Sequence, residues 1–132
     1  DVISDAVVKT KKRFPNTKIH VELPQDILMA PMDSTLIKQV IINLLENAMH
    51  AVTKLPEEKR IVHLSIFEKG NHLLILQKNP ASETPVFSNG IPVTTAKNHG
   101  IGVQSVIYYV EKEHGQYQFY MEGEDFVVRI IL

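Results

Sequence analysis

Asn43, Glu46, Asn47 and His50 are separated by steps of three and four residues. On a helix of about 3.6 residues per turn their polar heads therefore share one facet roughly 100° wide. Asn is a poor residue for a helix interior, costing up to roughly 0.7 kcal/mol relative to Ala, so two of them one turn apart ask for a reason. A solvated stripe, with Glu46 and His50 forming an ordinary helix pair and the amides facing water, is one such reason. Helix geometry, however, sets Asn47 only about 20° from Val40, at the edge of the apolar face. An unpaired amide there costs on the order of 1–3 kcal/mol. Asn47 thus requires a hydrogen-bonding partner, supplied by protein or by a ligand.

A second group is Asn98-His99-Gly100-Ile101-Gly102-Val103, where a long irregular stretch meets a helical pattern. Glycines let a backbone approach a phosphate closely, and the free amides of a helix N-terminus direct partial positive charge at it. Alone, a G-x-G is equally a hinge or a plain helix start. Just before it, Thr94, Thr95 and Lys97 carry hydroxyls and an ammonium that can reach phosphate oxygens if the segment closes as a lid. A polar exposed loop has the same composition.

Several elements must position these groups. Val2, Ile3, Ala6 and Val7 recur at helical spacing, basic residues gather at Lys9 to Arg13, and Pro15 follows, which predicts a helix over 2–14 with charges complementary to its dipole. Alternation over Lys18 to Leu23 predicts a half-buried strand, closed by Pro24, with a short extended piece at 28–31. Asp33 or Ser34 can cap a second helix running to about Val52, in which Leu36, Val40, Leu44, Ala48 and Val52 step by four beside Ile37, Ile41 and Leu45. Strands over 61–68 and 72–77 follow, joined at Gly70-Asn71. From Asn79 to Asn98 no period persists, and a long loop is expected. A third helix is expected to start after Gly102, bury Val103, Val106, Ile107 and Val110, and stop at His114-Gly115. A final hairpin over 116–132 turns at 122–125. The elements amount to an α+β, two-layer α/β sandwich in which a mostly antiparallel sheet lies under three helices.

Composition bounds the class. A chain of 132 residues with 44% hydrophobic content sustains one domain with a real core. A net charge of -1 offers no basic excess to neutralise a phosphate backbone, so nucleic acid is not an expected partner. Without Cys there is no disulfide or thiolate chemistry, a pattern that fits a cytoplasmic setting, and the six His residues lack the pairing of a helical zinc site. No apolar run approaches the roughly 20 residues of a membrane span, so no direct membrane contact is expected. The chain opens on Asp1 with neither an initiator Met nor a signal pattern, as a piece of a longer protein would.

The order of motifs carries a resemblance. An Asn-bearing helix, a hairpin, a lid and then a G-x-G opening a helix is similar to the GHKL superfamily with its Bergerat ATP-binding fold, and in particular to its sensor-histidine-kinase branch. "DSTLIKQVIINLLENAMHA" resembles that branch's N box, and "HGIGVQSVIYYVEKEHGQ" its second glycine box. The first half of the chain resembles the sensor kinases of the osmosensitive potassium system. The second half, with "QKNP" and "GIPVTTAKNHGIGVQS", looks more like the kinases of peptide quorum sensing.

The resemblance implies a single catalytic domain over 1–132 with its lid at about 79–99, and ATP and Mg²⁺ as cofactors. It makes Asn47 the Mg²⁺ ligand, supported by Asn43, with Glu46 orienting metal-bound water. His50 stands where many relatives carry Lys or Arg, so its help to a phosphate depends on protonation. Gly100, Ile101, Gly102 and Val103 would wrap the phosphates, with Thr94, Thr95 and Lys97 acting from the lid. The first glycine box, D-x-G-x-G, is missing; Lys78-Asn79-Pro80 stands there, which assigns adenine recognition to Asn79, an amide accepting less strongly than a carboxylate.

Three functions follow as expectations. The first is an ATP·Mg²⁺-binding kinase domain that donates the γ-phosphate to a His on the phosphoacceptor domain of the same kinase dimer, upstream of a response regulator and within a membrane-anchored parent. On that reading no catalytic nucleophile belongs to this segment. The second is a degenerate GHKL module that binds nucleotide weakly or not at all and serves as an interaction domain. The third, ATP hydrolysis as in gyrase, wants a carboxylate one turn before the metal-binding Asn, where Asn43 stands instead.

Overall fold

A computed structural model of the protein describes residues 2–22, 34–93 and 100–132. Helix α1 spans Val2–Arg13, strand β1 Lys18–Glu22 and helix α2 Ser34–Val52, followed by a 3-10 turn at Glu57–Lys59. Strands β2 (Ile61–Lys69) and β3 (His72–Pro80) come next, then the short strands β4 (Val86–Ser88) and β5 (Ile91–Val93). Helix α3 (Gly100–Lys112) and strands β6 (Gln116–Glu122) and β7 (Asp125–Ile131) complete the chain.

Five strands form one sheet in the order β1-β2-β3-β7-β6. Among the described strands of this sheet only β1 and β2 run parallel; the β2–β3, β3–β7 and β6–β7 pairs are antiparallel. The three helices pack on one face. This is the α+β sandwich that the pattern predicts, because each helix carries a single apolar stripe and the sheet offers one alternating apolar face to receive it.

Helix α2 sits at the centre of the helical layer and touches α1, α3, β2 and β3. Its stripe of Ile37, Val40, Ile41, Leu44, Leu45, Ala48, Met49 and Val52 is no more than 3% exposed at any position. From the sheet, Val62, Leu64, Ile66, Leu73 and Ile75 meet it, and from α3 Val103, Val106 and Val110. Full burial of one such side chain is worth about 1.5–3 kcal/mol. That outweighs the propensity cost of two Asn residues several times over, so the helix forms in spite of them.

Two expectations are corrected. The stretch 79–98 is not a loop throughout: β3 continues to Pro80, and β4 and β5 pair in a separate two-stranded ribbon. Asn89-Gly90, both at positive φ (53° and 77°), turns that ribbon as a two-residue Asn-Gly connection should. The third helix also begins earlier than expected, at Gly100 rather than after Gly102. The proposed extended piece at 28–31, the capping residue Asp33, the Ser34 side chain, and Thr94, Thr95, Lys97, Asn98 and His99 lie outside the described residues.

The end of α3 divides a role that the sequence reading gave to a His-Gly pair. The Gly115 amide donates to the Val110 carbonyl at 2.9 Å and the His114 amide to the Glu111 carbonyl at 2.9 Å, which is the bonding of a Schellman cap. The left-handed position is His114, at φ 58°. Gly115 is required for space instead, since a Cβ there would lie 2.5 Å from the Ile131 carbonyl oxygen. His114→Gly is therefore expected to raise stability by up to about 1 kcal/mol, and Gly115→Ala to lower it by about 1–3 kcal/mol. Urea denaturation of the two variants checks both signs.

Near the same cap the Tyr117 hydroxyl donates to Glu111 at 3.3 Å. Burial, and then the adjacent Glu111 carboxylate, raise the phenol above its ordinary value. A folded-state value above the unfolded one contributes stability that is present below pH about 10 and lost as pH rises through the folded value. Between pH 9 and pH 11 the wild-type urea midpoint should therefore fall further than that of Tyr117→Phe, whereas near neutrality the variant lacks only an exposed hydrogen bond.

Candidate functional site

Asn47 follows Glu46 by one residue, about 100° round the helix, and that rotation splits the predicted polar facet. Glu46 pairs with Arg13 at the end of α1. His50 is exposed and packs edge-on against Phe14, with ring centroids 5.1 Å apart. Asn43 is half-buried and accepts a hydrogen bond from Gln39 one turn earlier, at 3.3 Å. Asn47 alone of the four lines the wall of a cleft of about 460 Å³, a size typical of small-molecule sites.

The cleft lies between α2 and the end of β3. Ala48 and Ala51 of α2 keep one wall low, with Lys54 at its end, and Gln77 and Asn79 of β3 line it opposite. Val103 of α3 and Phe126 of β7 add apolar surface, and residues 81–86 with Pro92 and Val93 of β5 border it. The ribbon β4–β5 is held there by aromatic packing: Phe87 stacks on Phe126 at 6.5 Å, and Phe126 on Phe119 at 6.3 Å. Part of the proposed lid is thus a hairpin fixed to the sheet by Phe87.

The buried and half-buried polarity of the cleft is in amides, while Lys54, Ser82, Glu83 and Thr84 add exposed polar groups at its border. Asn47 is half-buried, and its side chain makes no hydrogen bond among the described residues. Gln77 is 1% exposed and Asn79 2% exposed. Gln77 Nε2 donates to the Leu44 carbonyl of α2 at 2.8 Å, and Asn79 Nδ2 donates to the Pro80 carbonyl at 3.1 Å. Among the described residues Gln77 Oε1 has no hydrogen-bond partner. The arrangement can receive a planar group between small residues of α2 and the apolar side of Phe126 and Val103. It offers that group hydrogen-bond acceptors at the β3 end and a hard amide oxygen at Asn47.

Of the residues proposed from sequence, Asn47, Asn79 and Val103 meet at this cleft. Gly100, Ile101 and Gly102 form the first turn of α3, the helix that brings Val103 to it. Asn43, Glu46 and His50 stand off the cleft, and Thr94, Thr95 and Lys97 lie outside the described residues. Sequence reasoning missed Lys54 and Gln77. Both had a signal: Lys54 follows Asn47 by seven residues with Ala51 between, just past the end of α2, and Gln77 shares the buried alternation of Leu73, Ile75 and Asn79.

Residues 32–132 match the family model of the GHKL domain, and the chain belongs to that family. Over 69 residues, 52% of the chain, it is 42% identical to the sensor protein KdpD of Clostridium acetobutylicum, a stretch that spans 7% of KdpD. Its structure is similar to the catalytic domain of the histidine kinase ThkA, with a TM-score of 0.77, 20% identity, and 99% of this chain and 90% of that one covered. It is also similar to the mycobacterial sensor histidine kinase MprB, with a TM-score of 0.73, 16% identity, and 99% and 92% covered. The fold is that of histidine-kinase catalytic domains.

Since Asn47 makes no hydrogen bond within the described protein and is a weak helix former, Asn47→Ala should leave the fold intact. It is expected to raise stability by up to about 0.7 kcal/mol. A loss above about 1 kcal/mol in chemical denaturation would show instead that the amide serves the fold.

Proposed function

We propose that this domain binds ATP with Mg²⁺ and presents the γ-phosphate to a histidine on a separate dimerisation domain of a sensor kinase. The carrying observation is the cleft itself, lined by Asn47, whose amide makes no hydrogen bond among the described residues, by two buried amides of β3, and by Val103 near the start of α3.

Bound Mg²⁺ would draw the phosphates together and offset their charge. Asn47 Oδ1 is the hard oxygen this chain offers it, and Asn43, bonded to Gln39, steadies the helix one turn earlier. The first-turn amides of α3, at Gly100, Ile101, Gly102 and Val103, take phosphate oxygens as a helix N-terminus does. Lys97, Thr94 and Thr95, which precede that turn in the sequence, would supply further phosphate contacts. Asn79 accepts from the adenine amino group, and Lys54 adds a cation at the mouth of the cleft.

Glu46 and His50 are turned toward α1 by Arg13 and Phe14, so their part is to hold α1 against α2 and to set the position of Asn47. The transfer itself moves the γ-phosphoryl group of ATP to an imidazole nitrogen of the partner domain: the bond from Pγ to the β,γ-bridging oxygen breaks, a P–N bond forms, and ADP leaves. It relies on positioning and charge neutralisation, with no nucleophile from this domain. The parent protein would be a membrane-anchored kinase with this domain in the cytoplasm, passing the phosphoryl group on to a response regulator.

One feature favours a second reading, a domain that keeps the fold with weak or no nucleotide affinity: an amide, Asn79, stands where the family uses a carboxylate. Titration of the chain with a fluorescent ATP analogue separates the two. Mg²⁺-dependent binding is expected, weakened at least about tenfold by Asn47→Ala with the circular dichroism unchanged, equivalent to about 1.4 kcal/mol. No binding by the wild type at millimolar analogue would favour the interaction module, and binding indifferent to Asn47→Ala would remove that residue from the metal site.

A further inference from the structure

We infer that Gln77 is a specificity-determining residue of the base subsite, its carboxamide oxygen accepting a hydrogen bond, beside Asn79, from the exocyclic amino group of an aminopurine nucleotide. This rests on the nucleotide reading above and extends it to a residue that the adenine-binding motif does not include.

The orientation of the Gln77 amide is fixed by chemistry. Nε2 donates to the Leu44 carbonyl at 2.8 Å; with the amide turned over, two carbonyl oxygens would face each other with no proton between them. Oε1 must therefore point away from α2, and it is buried with no hydrogen-bond partner among the described residues. An orphaned acceptor costs on the order of 1–3 kcal/mol, whereas the residues before it on the same face, Leu73 and Ile75, pack there without polar atoms. A carbon side chain would fill the site more stably. An amide is justified only if a donor reaches it, and the cleft that Gln77 lines is the route by which one can arrive.

Asn79 repeats the pattern two residues on, about 6.6 Å along the strand and on the same face. Its NH₂ group is engaged by the Pro80 carbonyl at 3.1 Å. With both NH₂ groups turned to protein carbonyls, the β3 end of the cleft presents oxygens. Such a surface accepts from an amino group and repels a carbonyl, which selects a 6-aminopurine over a 6-oxopurine. The terminal torsion of a Gln side chain is soft, so a small rotation that keeps the Leu44 bond brings Oε1 to the cleft surface.

The test compares three triphosphates on the intact chain by competition with the fluorescent analogue: ATP, inosine triphosphate, and purine riboside triphosphate, which has hydrogen in place of the amino group. Wild type is expected to favour ATP over purine riboside triphosphate by about tenfold or more, with inosine triphosphate weaker again. Gln77→Met should weaken ATP about tenfold and leave purine riboside triphosphate within about twofold. A variant that keeps the wild-type preference, or that weakens all three equally, overturns the inference. Should Gln77→Met fail to fold, the side-chain carbonyl ¹³C resonance of Gln77 in the wild type decides: it should move with ATP and stay in place with purine riboside triphosphate, and an unmoved resonance with ATP overturns the inference. If the wild type binds none of the three, the nucleotide reading itself falls and takes this inference with it.

Discussion

Burial of one face of α2 is the constraint on which the other elements depend. Leu44 and Ala48 face the sheet, Leu45 and Met49 continue the stripe round the helix, and none is more than 3% exposed. Because side chains on a helix are fixed in angle by their spacing, burying that stripe also fixes every other direction on it. The edge that carries Asn47, Ala51 and Lys54 is thereby aimed at the end of β3, and the edge that carries Glu46 and His50 at α1. No separate device positions the cleft residues.

The same constraint explains how β3 is held. Gln77 donates into the backbone of α2, in a layer otherwise made of aliphatic contacts, and this single directional bond pins the depth of the strand end against the helix. Beyond Gln77 the chain stays extended because β7 supplies partners, with Asn79 opposite Phe126 and Pro80 opposite Asp125. Phe126 then carries the stack to Phe87 that seats the β4–β5 ribbon. Helix, strand end, aromatic stack and ribbon form one chain of contacts around the cleft.

What could be read from sequence follows from how each signal arises. The α2 stripe and the Asn47 edge are local consequences of periodicity, and they were legible. The end of β3 was not, because Gln-Lys-Asn-Pro is a poor strand by propensity, and its last two residues, Asn79 and Pro80, are paired through β7, more than 40 residues away. The β4–β5 ribbon had its Asn-Gly turn in plain view, but Pro92 breaks the alternation. A proline is tolerated there since the ribbon has two strands and Pro92 needs no partner on its outer side. The contacts of Glu46 with Arg13 and of His50 with Phe14 were invisible for a different reason: helix spacing gives a shared facet, and only the placement of α1 says which part of it is covered.

Departures from local preference fall into two kinds here, and their placement separates fold from function. His114 at positive φ is a conformational cost next to a Schellman cap whose hydrogen bonds and close-packed Gly115 impose it; its cause lies wholly within the fold. Asn47 and Asn79 have no such cause, and Gln77 has one for its NH₂ group, bonded to α2, but none for its Oε1. Each places an amide on a face otherwise lined by apolar residues, none has all its hydrogen-bonding capacity met among the described residues, and all three border one cleft. Uncompensated polarity scattered over a structure would be noise. Three amides converging on a single space, on elements whose other inward residues are apolar, mark the place where the sequence is shaped by something other than its own stability.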